Sequence, residues 1–219
     1  MDHVDPRLLE TRAARVDAVL SRAPVLPVLS IERVEDAVPL ARALVEGGLP
    51  VLEVTLRTDA ALESITRIAG EVEGAIVGAG TVLDADHLRA VEAAGALFAI
   101  SPGATAALYR AAEDTAIPWI PGIATASELM LGLEHGHRRF KFFPAEASGG
   151  IAALQSFAGP FPHARFCPTG GITAATAPAW RALRNVATVG GSWMVPPEAV
   201  ATGDWDRIRA LARESAGKR

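Results

Sequence analysis

The chain has 219 residues and a mass of 22.8 kDa, is 50% hydrophobic and 21% charged, and so fits one large domain or two small ones while excluding disorder, collagen and coiled coil. Its 21 basic and 25 acidic residues give a net charge of -4, which excludes the basic footprint of a nucleic-acid binder and requires any anion site to be local. Cys167 is the single cysteine and cannot form an internal bridge, which fits a reducing compartment. No stretch approaches the ~20 apolar residues that span a bilayer, and the opening Met1–Arg7 is polar, so a cytoplasmic protein without a membrane partner is expected.

In chain order, an N-terminal helix over Arg7–Ser21 precedes the first apolar β-rich run, Pro24–Ser30. Further runs follow at Pro50–Leu56, Ala75–Val82, Leu97–Ser101, Ile117–Pro121, Arg139–Phe143, Arg165–Thr169 and Val186–Gly191, eight strands in all. Between them lie segments of helical period, such as Val34-Ala37-Val38-Ala41-Leu44-Val45, with Gly47-Gly48, Gly70, Gly95 and Gly136 as predicted stops. Strand followed by helix, repeated every ~20 to 26 residues, predicts parallel βαβ units with helices covering the sheet. Eight units can close into an α/β fold of the (β/α)8 TIM-barrel type with an additional N-terminal helix. A doubly wound open sheet is the structural alternative, but no G-x-G-x-x-G follows the first strand. One domain over 1–219 is expected: residues 1–23 the N-terminal helix, 24–193 the barrel and 194–219 a C-terminal helix.

In a parallel barrel the chemistry gathers at the C-terminal strand ends, so polar breaks in the apolar pattern there mark candidates. On strand two, alternation sends Val51, Glu53 and Thr55 to one face and Leu52, Val54 and Leu56 to the other, leaving Glu53 inside. A desolvated carboxylate has a raised pKa and suits a group that gives and takes protons; a buried Glu53–Arg57 ion pair that only fixes register is the competing reading. On strand six, Lys141 stands in the aromatic run Arg139-Phe140-Lys141-Phe142-Phe143. It is the only lysine apart from Lys218. An amine buried near another cation loses its proton more readily and can attack a carbonyl to form a Schiff base. The alternative is a snorkelling stem packed on Phe140 or Phe142. Thr169-Gly170-Gly171 after strand seven and Gly190-Gly191-Ser192 after strand eight stand where phosphate-binding barrels take their anion, aided by a following helix N-terminus. Thr81 is either a hydroxyl donor to a carboxylate or the N-cap of a helix near Asp84. The five histidines do not cluster with metal-ligand spacing and read as solvated, so no metal is expected.

Six ordered stretches, Leu52-Glu53-Val54-Thr55-Leu56-Arg57-Thr58, Gly78-Ala79-Gly80-Thr81-Val82, Ile100-Ser101-Pro102-Gly103, Lys141-Phe142-Phe143-Pro144-Ala145-Glu146, Pro168-Thr169-Gly170-Gly171-Ile172 and Gly190-Gly191-Ser192-Trp193, together resemble the KDPG (2-dehydro-3-deoxy-6-phosphogluconate) aldolase family. The resemblance implies a class I aldolase on a (β/α)8 barrel, a homotrimer without cofactor, that cleaves KDPG to pyruvate and glyceraldehyde 3-phosphate in the Entner–Doudoroff pathway. It extends to 4-hydroxy-2-oxoglutarate. By the same resemblance Lys141 is the Schiff-base nucleophile and Glu53 the proton shuttle. Arg57 and Thr81 hold the substrate carboxylate, Pro102 and Phe143 shape the pyruvate pocket, and Thr169, Gly170, Gly171, Gly191 and Ser192 take the phosphate. Competing readings are an aldolase for the galactonate epimer, another phosphate-binding barrel such as an isomerase or a thiamine-phosphate synthase type, and a trimeric phosphosugar-binding barrel without turnover. Thr169 before the glycine pair leans toward the gluconate epimer.

Overall fold

The computed structural model describes the backbone of residues 6–217 and side chains from residue 11 onward; the expected solvated His3 and tail Lys218 lie outside the described residues. The first half of the chain alternates helix and strand: α1 (Pro6–Leu20), β1 (Val25–Leu29), α2 (Val34–Glu46), β2 (Val51–Thr55), α3 (Ala61–Glu71), β3 (Ile76–Gly80), α4 (Ala85–Ala93), β4 (Ala99–Ile100) and α5 (Ala106–Ala111). The second half runs β5 (Trp119–Ile120), β6 (Gly122–Ile123), α6 (Ala126–Glu134), β7 (Arg139–Phe142), α7 (Gly150–Ser156), β8 (Arg165–Pro168), α8 (Ala177–Arg181), β9 (Val189–Gly191), α9 (Pro197–Thr202) and α10 (Trp205–Gly217). Among the described residues no helix is long and apolar enough to cross a membrane.

Every strand pairing is parallel, in the orders β5-β4-β3-β2-β1-β9 and β6-β7-β8. The two sheets share the segment Trp119–Ile123, and parallel bridges Phe166–Val186 and Thr169–Gly190 join β8 to the β9 region. Each expected strand is present, but the fifth is broken in two at Pro121, which has no N–H for a ladder.

The helix stops hold at Gly47–Gly48, Gly95 and Gly136. The expected stop at Gly70 does not: α3 runs through it to Glu71, and the turn glycine is Gly74, with φ +80. The expected C-terminal helix is likewise two helices, because Gly203 takes a left-handed φ of +67 and ends α9 before α10 starts. Side-chain caps fix other starts: Asp84 accepts from the His87 N–H at 2.8 Å, and Thr125 and Glu128 form a reciprocal capping box on α6.

Apolar side chains divide between two faces of the strands. Leu52, Val54, Phe140, Phe142 and Phe166 pack outward against the helices with Trp180 and Ile208. On the inner face Leu26, Val51, Phe98, Ile100, Ile120 and Cys167 pack with Val16, Val19 and Leu20 of α1. Each such burial contributes about 1.5–3 kcal/mol. The inner cluster packs on α1, which is tied to the start of β7 by Arg139, whose Nε and Nη2 each reach an Asp17 carboxylate oxygen at 2.5 Å. Glu53 and Lys141 are the buried charged side chains on that inner face.

His137 departs from the solvated state expected of the histidines. It is 8% exposed, edge-on to Trp119 at 5.2 Å between ring centroids and 5.4 Å from Tyr109. Burial first, then the neighbouring Arg12, His135 and Arg138, push its pKa down from 6.5 to about 3. The unfolded chain therefore binds a proton near pH 6.5 that the folded chain refuses until about pH 3, so stability is full above that window and is lost as pH falls through it. Thermal unfolding across pH 7 to 4 should show a loss of about 3 kcal/mol by pH 4 from this group. His137→Gln should flatten that part of the profile; an unchanged slope would remove His137 as its cause.

Candidate active site

Glu53 and Lys141 meet on the inner face. β2 and β7 are not neighbours in either sheet order, yet the Lys141 Nζ donates to the Glu53 Oε1 at 2.8 Å. Glu53 is 0% exposed and Lys141 6% exposed. Alternation places them: Val51 and Glu53 turn inward and Leu52 and Val54 outward, while Phe140 and Phe142 face the helices and send Lys141 the other way. The lysine stem therefore does not pack on those two rings. The Phe143 ring stands under the amine, with its centroid 5.2 Å from Nζ.

Small residues make the room. In register, Gly122 and Cys167 flank Lys141, and Gly78 flanks Glu53. A Cβ on Gly80 would lie 2.2 Å from Glu53 Oε1, so only glycine there leaves the carboxylate its position. The Cys167 thiol is pushed up to about 12, by burial first and then by the Glu53 charge. It stays a neutral filler.

The second carboxylate oxygen, Glu53 Oε2, is buried and has no hydrogen-bond partner in the protein. An orphaned buried acceptor is costly and rare in packed interiors. Beside a buried amine, it marks an atom that takes a proton or a donor from something else. The Glu53–Arg57 ion pair does not form: Arg57 Nε donates to Thr55 Oγ1 at 3.0 Å, and that hydroxyl donates to the Leu29 carbonyl at 2.8 Å. Arg57 is exposed at the β2 mouth, and no described carboxylate lies within ion-pair distance of it. Thr55, which sequence reasoning gave no role, is the link that holds Arg57.

Thr81, just beyond β3, is the one described non-glycine residue with positive φ, at +61. For a β-branched side chain that backbone is strained. Since the helix cap is Asp84, the N-cap reading of Thr81 is set aside. Pro102 is brought close to the site by Gly122, where any Cβ would stand 2.3 Å from the Pro102 carbonyl carbon.

The two glycine clusters lie side by side through the Thr169–Gly190 bridge. Gly170 and Gly171 have φ of +105 and +80, which turns the backbone sharply after β8. Thr169 is buried, Gly190 leaves room for its hydroxyl, and Ser192 is exposed. One expectation fails here. Ser192–Val195 form a turn, Pro196 is extended, and α9 starts only at Pro197, which has no N–H, so no helix N-terminus directly follows β9. Among the described residues no three His, Cys, Asp or Glu side chains gather where they could hold a metal ion.

A buried lysine–carboxylate pair on the inner face of a parallel α/β sheet, with an arginine that has no described carboxylate partner at the β2 mouth and two adjoining glycine clusters after β8 and at β9, is suited to imine chemistry on a keto acid. The sequence-family model "KDPG and KHG aldolase" matches residues 16–211. The chain belongs to this aldolase family. Family relatives include the 2-dehydro-3-deoxy-phosphogluconate aldolase of Dickeya dadantii, 58% identical over 199 residues that cover 91% of this chain and 93% of the relative. The KHG/KDPG aldolase of Escherichia coli is 56% identical over the same shares. Among solved family structures, a Legionella pneumophila KDPG aldolase with pyruvate captured at low pH as a covalent carbinolamine superimposes with a TM-score of 0.90 at 47% identity, covering 92% of this chain and 98% of that one.

Proposed function

We propose that this chain is a class I aldolase, a carbon–carbon lyase that cleaves KDPG to pyruvate and glyceraldehyde 3-phosphate and 4-hydroxy-2-oxoglutarate to pyruvate and glyoxylate. The observation that carries the reading is the buried Lys141 amine 2.8 Å from a carboxylate whose other oxygen is unpaired. The relatives' names and the pyruvate carbinolamine of the Legionella enzyme support it.

Lys141 passes a proton to Glu53 and adds through Nζ to the C2 ketone, giving a carbinolamine. Glu53 returns the proton to the departing hydroxyl, water leaves, and a cationic iminium remains. Glu53 then takes the C4 hydroxyl proton. The C3–C4 bond breaks, its electrons enter an enamine instead of a bare carbanion, and the aldehyde departs. Protonation of C3 and hydrolysis of the iminium release pyruvate and restore the amine. Arg57 and the strained Thr81 hold the substrate carboxylate, Pro102 and Phe143 wall the pyruvate pocket, and Thr169, Gly170, Gly171, Gly191 and Ser192 receive the phosphate. The chemistry asks for no metal or organic cofactor, because the iminium is itself the electron sink.

The same reading takes the strands as one closed (β/α)8 barrel in a single domain over 1–219, with α1 covering the N-terminal strand ends and 194–219 its C-terminal segment. The segment shared at Pro121 and the Thr169–Gly190 bridge support closure. Assembly as a homotrimer in the cytoplasm is drawn from the family resemblance. Incubation of the purified protein with KDPG, with pyruvate release followed through lactate dehydrogenase, should give rapid turnover that chelators leave unchanged. No pyruvate release from either keto acid would overturn the reading.

A further inference from the structure

A second concavity, of about 160 Å³, opens at the opposite strand ends, between α1 and the starts of β5 and β7. Its lining carries Arg12, Arg15, Arg138 and Arg139 against one carboxylate, Glu113, in a chain whose net charge is -4. Arg139 is neutralised by Asp17. The other three are not: Arg12 donates to the His135 carbonyl at 3.1 Å, Arg15 to the Ala116 carbonyl, and Arg138 to the His137 carbonyl at 2.9 Å. These are neutral acceptors, and each guanidinium keeps further N–H groups to offer. No described carboxylate forms an ion pair with any of the three. Like charges gathered from α1 and the start of β7 repel one another, so their convergence costs free energy that a bound anion would recover.

A second, independent observation comes from Trp119, which lines the same cavity. It is 4% exposed, and its buried Nε1–H meets no acceptor in the protein. A buried indole N–H ordinarily finds a partner. Ile117, Pro118 and Val16 complete an apolar wall beside it. None of these residues belongs to the aldolase site.

We infer that this cavity is a binding site for a small organic anion, a phosphate or carboxylate carried on a flat apolar body, held by Arg12, Arg15 and Arg138 with the Trp119 indole. Guanidinium forks match both oxyanions, and the apolar wall takes the body.

The test uses the full-length protein isotopically labelled at its four tryptophans, with the Trp119 indole signal assigned through Trp119→Phe and Trp193 as the reporter of the glycine clusters. Phenyl phosphate, with benzoate and inorganic phosphate as separate arms, should move the Trp119 signal saturably. The stronger of the first two arms identifies the oxyanion, and weaker binding of inorganic phosphate confirms the apolar wall. Arg15→Gln, on an exposed side chain, and Arg12→Gln should each weaken binding about ten- to a hundredfold while the other indole signals keep their dispersion. A Trp119 signal that no arm moves, or movement indifferent to both arginine variants, overturns the proposal. A shift of Trp193 alone also overturns it, and speaks instead for the phosphate end of the aldolase site.

Discussion

Lys141→Ala should lower kcat for KDPG cleavage by at least about 10⁴-fold, to the background of the coupled assay, because no other described group can form the imine. The loss should be chemical rather than a failure to fold. Removing the amine does leave the Glu53 carboxylate buried without its partner, a destabilisation of about 3–5 kcal/mol unless the carboxyl takes up a proton. Thermal unfolding recorded beside the assay separates the two effects: a folded, inactive protein is the expected result. Turnover within tenfold of the parent would show that the electrons of the C3–C4 bond have another sink.

Glu53→Gln should lower kcat and kcat/KM together by about 10²–10⁴-fold, the range of a positioned acid–base group. Glutamine preserves the size of the side chain and an acceptor for the Lys141 Nζ but cannot carry a proton between carbinolamine, C4 hydroxyl and C3. The imine itself should still form slowly, so an adduct with pyruvate survives in this variant and is absent from Lys141→Ala. A raised KM with kcat unchanged would instead make Glu53 a binding group.

Much of this site is legible in the residues alone, for a definite reason. Period-two alternation in β2 and β7 is enforced by the flanking apolar positions, and a charged residue in such a strand can only face inward; this places both Glu53 and Lys141. Their pairing is not legible, because β2 and β7 belong to different sheet orders and only the folded chain brings Lys141 Nζ within 2.8 Å of Glu53 Oε1. Sequence spacing drew attention to Glu53 and Arg57, four residues apart, whereas Thr55 claims Arg57 through a hydroxyl that any core threonine could carry. Gly80 reads as an ordinary turn residue until the Glu53 carboxylate is seen against it. At Gly70, inside α3, and at Gly203, which ends α9, only tertiary packing decides whether a glycine continues or ends a helix. The burial of His137 is not legible, because Tyr109 and Trp119, which close over it, come from earlier elements of the chain.

Covalent capture by one amine is the central event. Incubation of the protein with labelled pyruvate and borohydride, followed by digestion and peptide mapping, reads that event directly. One stable label is expected, on the peptide that carries Lys141, absent from Lys141→Ala. Label on Lys218, or no label at all, would contradict it.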